Sequence, residues 1–356
     1  MSNLENLPLR SDLKGIKPYG APQLDVPVSL NVNENTYGIP EAVAMSIVEH
    51  LSEAVLSLNR YPDREFLKLR AELAHYLGHD LNQTNLWAAN GSNEILQQFF
   101  LAFGGPERKA LSFGPTYSMY LNIARLTLTD YVELRRGADF ELDTAVVVSQ
   151  IREQKPDIVL ICTPNNPTGT KASNELIEAA YEATDGMLLV DEAYAEFSDS
   201  ESALSLLEGR ERLVISRTMS KAFAFAGARV GYMAADPAVV DAMRIVRLPY
   251  HLSALTQAAA LAALQHSSLM LANVEQIKHQ RDRIIEATRS WGLKPYASDA
   301  NFVLVAGIAD PEDVFQKLLA TGVLVRNVGI PGTLRITAGT EAETTKLLAE
   351  LSLLVG

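Results

Sequence analysis

Lys221 stands at the centre of the stretch Arg217 to Tyr232, RTMSKAFAFAGARVGY, in the turn after the apolar run Leu213 to Ile215. Thr218 and Ser220 flank it with hydroxyls, and Arg229 follows behind a segment of Ala, Phe and Gly. A lysine among apolar and small residues loses its proton more readily than one in water and can act as a nucleophile. Two hydroxyls and an arginine can hold a phosphate, because each offers donors to its oxygens. A nucleophilic lysine beside a phosphate cradle is what the cofactor pyridoxal phosphate needs. Taken alone, the same stretch also describes a surface lysine in an ordinary strand-to-loop turn, so the surrounding elements must decide.

Those elements repeat as strand, polar loop and helix. Leu86 to Ala89 reads as a short strand, followed by Asn90-Gly91-Ser92-Asn93-Glu94 and a helical pattern from Ile95 to Phe103. Ser92 or Asn93 is the expected N-cap, and a glycine before a capped helix start makes an anion site. Lys109 to Phe113 is a strand that turns at Gly114-Pro115-Thr116-Tyr117. Ile158 to Cys162 and Met187 to Val190 are continuous apolar runs, as expected of strands buried on both faces. The first ends in Thr163-Pro164-Asn165-Asn166-Pro167-Thr168-Gly169 and the second in Asp191-Glu192-Ala193-Tyr194. Val230 to Ala234 is a further strand. The pattern predicts an α/β domain with a mostly parallel sheet between helices, in which ligands bind at the carboxyl ends of strands. Ser92, Tyr117, Asn166, Asp191 and Lys221 all follow such an end.

Before this region lies an irregular arm, residues 1–35, rich in Pro, Asn and Gly, then helices expected from Pro40 to about Leu56 and from about Arg64 to Leu77. After it, a long helical region runs from about Leu255 to Trp291. Strands Asn301 to Val305, Val323 to Arg326 and Leu334 to Thr337 follow, with a helix Pro311 to Thr321 among them. Thr340-Glu341-Ala342-Glu343 is a capping box opening the last helix. The expected division is an arm at 1–35 that also joins the small domain, a large domain at 36–254, and a smaller α+β domain at 255–356.

Composition narrows the function. A chain of 356 residues is long enough for two domains, and 47% hydrophobic with 21% charged residues is ordinary for a soluble enzyme. The net charge of −12 argues against a nucleic-acid partner. The single cysteine, Cys162, excludes an intrachain disulfide and a cysteine zinc cluster and reads as a buried core thiol. No metal site is expected. Neither a signal-peptide pattern nor a membrane-length apolar window is present, so a cytoplasmic location is expected.

The polar strand ends form one constellation. Asp191 can keep the pyridine nitrogen of the cofactor protonated, making the ring an electron sink. Asn166 and Tyr194 can bond its phenolate oxygen, and Tyr117 can stack on its face. Ser92, Asn93, Thr218, Ser220 and Arg229 can hold its phosphate. On NNPTG at Asn165 to Gly169, DEAY at Asp191 to Tyr194 and SKAFAFAGARVGY at Ser220 to Tyr232, the chain resembles the fold-type I pyridoxal-phosphate aminotransferases, the aspartate aminotransferase superfamily. Within them it is most similar to the histidinol-phosphate aminotransferase family. PYG at Pro18 to Gly20, LNVNEN at Leu30 to Asn35, NRYPD at Asn59 to Asp63 and GSNEIL at Gly91 to Leu96 carry that likeness, with PTYSMY at Pro115 to Tyr120, VLVRNVG at Val323 to Gly329 and LRITAGT at Leu334 to Thr340. Two departures stand out: NENTYG replaces the usual Asn-Pro after the glutamate, and GSNE replaces Gly-Ala-Asp-Glu.

The resemblance implies amino transfer between histidinol phosphate or imidazole-acetol phosphate and glutamate or 2-oxoglutarate, in histidine biosynthesis, with Lys221 as the catalytic base and acid. It implies a homodimer with shared active sites, Tyr61 reaching the cofactor phosphate of the neighbouring subunit. Arg335 would bind the substrate's anionic group with help from Arg326 and Tyr19, and Tyr250 would line the pocket. An aromatic amino acid aminotransferase or a threonine-phosphate decarboxylase would share the cofactor residues. A regulatory protein of the same fold would carry an added basic helix pair, for which there is no room before residue 35.

Overall fold

The computed structural model describes residues 6–355; residues 1–5 of the expected arm lie outside them. In chain order the elements are β1 (Val28–Ser29), α1 (Glu41–Val55), α2 (Leu67–Leu77), β2 (Leu86–Ala89), α3 (Ser92–Phe103), β3 (Lys109–Gly114), α4 (Met119–Leu126), β4 (Asp130–Arg135), α5 (Thr144–Gln154), β5 (Ile158–Cys162), α6 (Asn174–Ala183) and β6 (Met187–Asp191). They continue as β7 (Leu213–Thr218), β8 (Gly231–Ala235), α7 (Pro237–Val246), α8 (Ala254–Gln265), α9 (Ser267–Met270), α10 (Val274–Ser290), β9 (Lys294–Pro295), β10 (Phe302–Ala306), α11 (Pro311–Ala320), β11 (Val323–Leu324), β12 (Thr333–Thr337) and α12 (Glu341–Val355). No helix among the described residues is long and apolar enough to cross a membrane.

The expected α/β architecture is present. A seven-stranded sheet has the order β2-β8-β7-β6-β5-β3-β4. Only β8 runs against its neighbours, pairing antiparallel with both β2 and β7. β2 therefore points the same way as β7, and Gly231 at the start of β8 pairs with Ala89 on one side and Thr218 on the other. The carboxyl ends of β2, β5, β6 and β7 thus meet at one sheet edge. Strands β3 and β5 to β8 are buried along nearly their whole length, as in a sheet covered on both faces. A second, three-stranded sheet, β12-β10-β9, carries its own core with α10, α11 and α12. The arm joins this unit through β1, which pairs in parallel with β11.

Several boundaries differ from the sequence expectation. α2 starts at Leu67 rather than Arg64, because Phe66 takes a left-handed conformation (φ 37°) and Asp63 accepts from the Glu65 and Leu67 N–H groups. α3 is capped by Gly91, without a side-chain cap bond, rather than by Ser92 or Asn93. The long helical region 255–291 is three helices, broken at His266 and between Leu271 and Asn273. The first of them packs on α1 and α2, and Ala259 to Met270 belong to the large core, whereas Val274 onward belongs to the second. The cores therefore separate between Met270 and Val274, later than the expected boundary at 254/255. The small alanines of α8 let it lie flush between neighbouring helices, which a switch in pattern could not reveal.

A buried ion pair locks two strand ends. Arg217 on β7 donates to Glu192 Oε2 from Nε (3.0 Å) and Nη2 (2.7 Å), with both side chains nearly out of water. Glu192 also accepts from the Ala203 N–H and the Ser202 hydroxyl, each at 2.7 Å. Asp191 and Thr218 are the adjacent residues, so the pair fixes both site-bearing strand ends. Removing Glu192 strips two charge-assisted hydrogen bonds from the buried guanidinium and leaves Glu196, 3.7 Å away, as its remaining carboxylate. Glu192→Ala should therefore destabilise the apoprotein by about 3–5 kcal/mol, while Lys317→Ala, which breaks the half-exposed pair with Asp313 (2.7 Å), should cost less than about 1 kcal/mol. Urea unfolding of both variants checks this; equal midpoints would mean the buried pair anchors nothing.

Candidate active site

Along the carboxyl edge of the large sheet, where the two cores meet, lies a cavity of about 620 Å³. Every sequence-expected site residue except Tyr61 and Tyr250 lines it: Tyr19, Ser92, Asn93, Tyr117, Asn166, Asp191, Tyr194, Thr218, Ser220, Lys221, Arg229, Arg326 and Arg335. Tyr194 and Ala222 come from large-domain loops yet pack into the second core, which places the site on the seam.

At one end sits Asp191, the last residue of β6 and almost fully buried. Its Oδ2 accepts the Tyr120 hydroxyl at 2.8 Å, while its Oδ1 is buried with no hydrogen-bond partner. Burial pushes this carboxyl up to about 6, against the opposing pull of the Tyr120 hydroxyl. Cys162 pairs with it across β5 and β6. Burial pushes that thiol up to about 12, so it stays a neutral wall of the cavity.

At the other end, the start of α3 faces Arg229 and the Thr218–Ser220 turn. Gly91 has φ 86°, and a Cβ there would collide with the Arg229 guanidinium; a Cβ at Gly231 would collide with the Ser92 backbone nitrogen. Glycine at both places keeps the helix N-terminus open. Thr218 Oγ1 accepts the Ser220 N–H (3.1 Å) and donates to Ser220 Oγ (3.0 Å), and Arg229 Nη1 lies 3.4 Å from that hydroxyl. These donors, with the helix dipole, form an anion cradle. Asn93 accepts the Tyr117 hydroxyl at 3.0 Å, so the amide standing in place of the usual carboxylate orients that ring.

Between the two ends, Lys221 donates from Nζ to the Val32 carbonyl at 2.9 Å. Burial, and then the nearby Arg335 charge, bring its amine down to about 8, although Glu34 pulls the other way. A neutral amine is therefore accessible near physiological pH. Arg335, on β12 and 7% exposed, donates to Asn166 Oδ1 and to the Asn31 carbonyl, both at 2.6 Å. Its Nε is buried without a partner, and neither Arg335 nor Arg326 forms an ion pair among the described residues. Arg326 is bridged to Arg335 through paired main-chain hydrogen bonds of 3.0 and 2.9 Å, so both side chains reach the same cavity.

Tyr61 and Tyr250 stand outside this cavity. They stack on each other (centroids 4.4 Å apart, 14° between planes) and are 80% and 40% exposed. Tyr250 therefore does not line the pocket of its own chain; the loop after α7 points its ring toward the Tyr61 turn instead. Sequence reading missed Tyr120 and the arm residues Asn31, Val32 and Asn33. Asn33 adopts a left-handed conformation (φ 58°), donates to the Tyr194 hydroxyl at 2.9 Å and accepts from Thr337 at 3.0 Å, joining the large domain to the small one. The motif LNVNEN held that signal, but Asn-rich segments read as turns.

Comparison with known proteins agrees with this geometry. The profile of the family described as aminotransferase class I and II matches residues 26–351. The histidinol-phosphate aminotransferase of Paenarthrobacter aurescens is 58% identical over 360 residues, covering 100% of this chain and 97% of that protein. Its counterpart from Streptomyces avermitilis is 53% identical over 353 residues, covering 97% and 96%. Among solved structures, the histidinol-phosphate aminotransferase of Sinorhizobium meliloti in complex with pyridoxal-5'-phosphate has the same fold, with a TM-score of 0.84 at 24% identity over 93% of this chain and 91% of that one. The chain belongs to the class I and II aminotransferases, in the family of the histidinol-phosphate aminotransferases.

Proposed function

We propose that the chain transfers an amino group between histidinol phosphate and 2-oxoglutarate, a step of histidine biosynthesis carried out in the cytoplasm, with pyridoxal phosphate as cofactor. The observation that carries the substrate reading is the pair Arg326 and Arg335, two guanidinium groups on one cavity wall with no carboxylate partner among the described residues. One arginine satisfies a carboxylate through two parallel bonds. A phosphate monoester carries close to two charges and three acceptor oxygens, so a second arginine adds to its binding.

The residues present fit the cofactor. The unpartnered Asp191 Oδ1 suits a protonated ring nitrogen, and the glycine-walled cradle of Ser92, Thr218, Ser220 and Arg229, with Asn93 beside it, suits a phosphate. Tyr117 offers its ring as a stacking face, Asn166 and Tyr194 offer donors to a phenolate oxygen, and Lys221 is the anchoring residue. Bound there, pyridoxal phosphate supplies an electron sink for the carbanion left when a substrate Cα–H bond breaks. Lys221 Nζ takes that Cα proton as a general base, and the resulting ammonium later returns a proton as the acid. Its lowered proton affinity suits both roles, since a group titrating near the working pH gives and takes protons with little bias. Arg335 and Arg326 fix the substrate's anionic end, with Tyr19 at the mouth, so the Cα–H bond faces the amine.

The site is proposed to be completed in a homodimer. Tyr61 and Tyr250 present a stacked aromatic pair to solvent, and their sequence neighbours Leu56, Ile245 and Leu248 are 87%, 84% and 75% exposed. Aromatic and apolar surface of this kind marks an interface. A second copy brings its Tyr61 to the phosphate cradle.

Three outcomes are expected. Labelling of Lys221 by an amine-reactive reagent in the apoprotein should follow a midpoint of about 8, because only the neutral amine reacts, and borohydride treatment of the loaded protein should fix the cofactor on the peptide carrying Lys221. Attachment to any other peptide removes Lys221 from the mechanism. Arg335→Ala should impair both half-reactions, whereas Arg326→Ala should lower kcat/KM for histidinol phosphate by about 10- to 100-fold, the loss of one charge-assisted hydrogen bond, and spare glutamate. Equal losses in stopped-flow half-reactions would favour an aromatic amino acid substrate. Finally, Tyr61→Phe and Lys221→Ala chains, each impaired, should recover activity when mixed under conditions where subunit exchange is demonstrated. Exchange without recovery contradicts shared sites.

A further inference from the structure

Tyr120 has a role that neither its motif nor the proposed reaction assigns. It lies on α4, fully buried, and its hydroxyl donates to Asp191 Oδ2 at 2.8 Å. The groups around Asp191 come from every packed element. Cys162 faces it from β5 and directs its thiol to the Pro164 carbonyl at 3.6 Å. Ser216 is its neighbour on β7 and is uncharged. Glu192 follows it just past the end of β6 and is turned toward Arg217. The phenols of Tyr117 and Tyr194 line the same cavity as Asp191. None of these is a cation. The Tyr120 hydroxyl and the Ala193 N–H are the donors that favour the anionic carboxylate, and of the two only Tyr120 makes a full hydrogen bond.

We infer that Tyr120 is a positioning residue that fixes Oδ2 and keeps Asp191 anionic, so that the bare Oδ1 is presented to the ring nitrogen of the cofactor. A buried carboxyl with no donor would take up a proton and could no longer hold that nitrogen in its charged form. A lysine or arginine in this place would keep the anion but would neutralise it and compete with the ring. A phenol avoids both faults. Burial and the Asp191 charge push the acidity of Tyr120 well down, so it remains a neutral donor at every working pH. The inference rests on reading the cavity as a pyridoxal-phosphate site.

Tyr120→Phe removes one hydroxyl and keeps the ring that meets Tyr117 edge-on at 5.6 Å. The protonation of Asp191 is read in the apoprotein by infrared difference spectroscopy against pH, its carboxylic-acid band assigned by disappearance in Asp191→Asn. Pyridoxal-phosphate affinity of the same proteins is read by absorbance titration. The wild-type midpoint is expected near 6 and that of Tyr120→Phe about one pH unit higher, a tenfold change in proton affinity. Cofactor affinity should fall by about tenfold near pH 5, where the ionised fractions differ most, by only about twofold near pH 7, and recover fully as pH rises further, because the carboxyl then ionises without help. An unmoved midpoint with a loss of affinity equal at all pH values would overturn the inference and leave Tyr120 a packing residue. Should Tyr120→Phe not fold, a fluorinated tyrosine at 120, a stronger donor of the same shape, should lower the midpoint; no change or a rise overturns the inference. Absence of cofactor binding by the wild-type protein would instead refute the cofactor reading, and the apoprotein midpoints would still decide the role of Tyr120.

Discussion

The guanidinium of Arg335 joins three parts of the chain at once. It projects from β12 in the small domain, donates to Asn166 in a large-domain loop and donates to the Asn31 carbonyl in the arm. Burial lowers its proton affinity, bringing the pKa down to about 10, yet it stays charged at neutral pH. A buried cation bonded only to neutral oxygens is costly. The chain tolerates it because Nη1 and Nη2 are satisfied and Phe302 lies beneath the guanidinium, 5.3 Å from it. What remains, an unpartnered Nε and an uncompensated charge, is directed at the cavity. Through its field it also helps to lower the proton affinity of Lys221, so one placement serves both anion binding and base strength.

The two titrating groups of the site both weaken the folded apoprotein near neutral pH. Asp191 is raised from its ordinary 3.8 to about 6, so between those values the folded chain binds more protons than the unfolded one. Stability therefore falls as pH rises through that window, and the full penalty stands above it. Lys221 is lowered from 10.5 to about 8, so between those values the unfolded chain binds more protons and stability rises with pH. Below about 8 its penalty is also full. At neutral pH a buried carboxylate and a buried ammonium thus oppose folding together. The Glu192–Arg217 pair, one residue from Asp191 and Thr218, holds the strand ends against that cost.

What was legible in the sequence followed from where chemistry sits in this fold. Asn166, Asp191 and Lys221 were readable because each lies in the polar segment after an apolar run, the pattern of a strand buried on both faces. β4 escaped because it is an edge strand, Asp130 to Arg135, in which Asp130, Glu133 and Arg135 interrupt the apolar residues and no position is fully buried. The packing of α8 into the large core escaped because its alanines show no polar face to orient it. Tyr120 looked like one more core aromatic, since its single polar contact depends on a strand seventy-one residues further along. The Tyr61–Tyr250 stack depends on a contact between two distant turns, which no local pattern encodes.

The division between the domains also separates two kinds of specificity. The groups that match the proposed cofactor stand on the carboxyl edge of the large sheet, whereas Arg326 and Arg335, proposed to bind the substrate's phosphate, line the same cavity from the small domain. The arm binds the two sets together: Asn33 reaches Tyr194 on one side and Thr337 on the other, and the Val32 carbonyl holds Lys221 Nζ. The proposed anion-binding Arg335 and the proposed base Lys221 are linked through four consecutive arm residues, Leu30 to Asn33, which carry the main-chain oxygens bonded by Thr337, Arg335, Lys221 and Asn301.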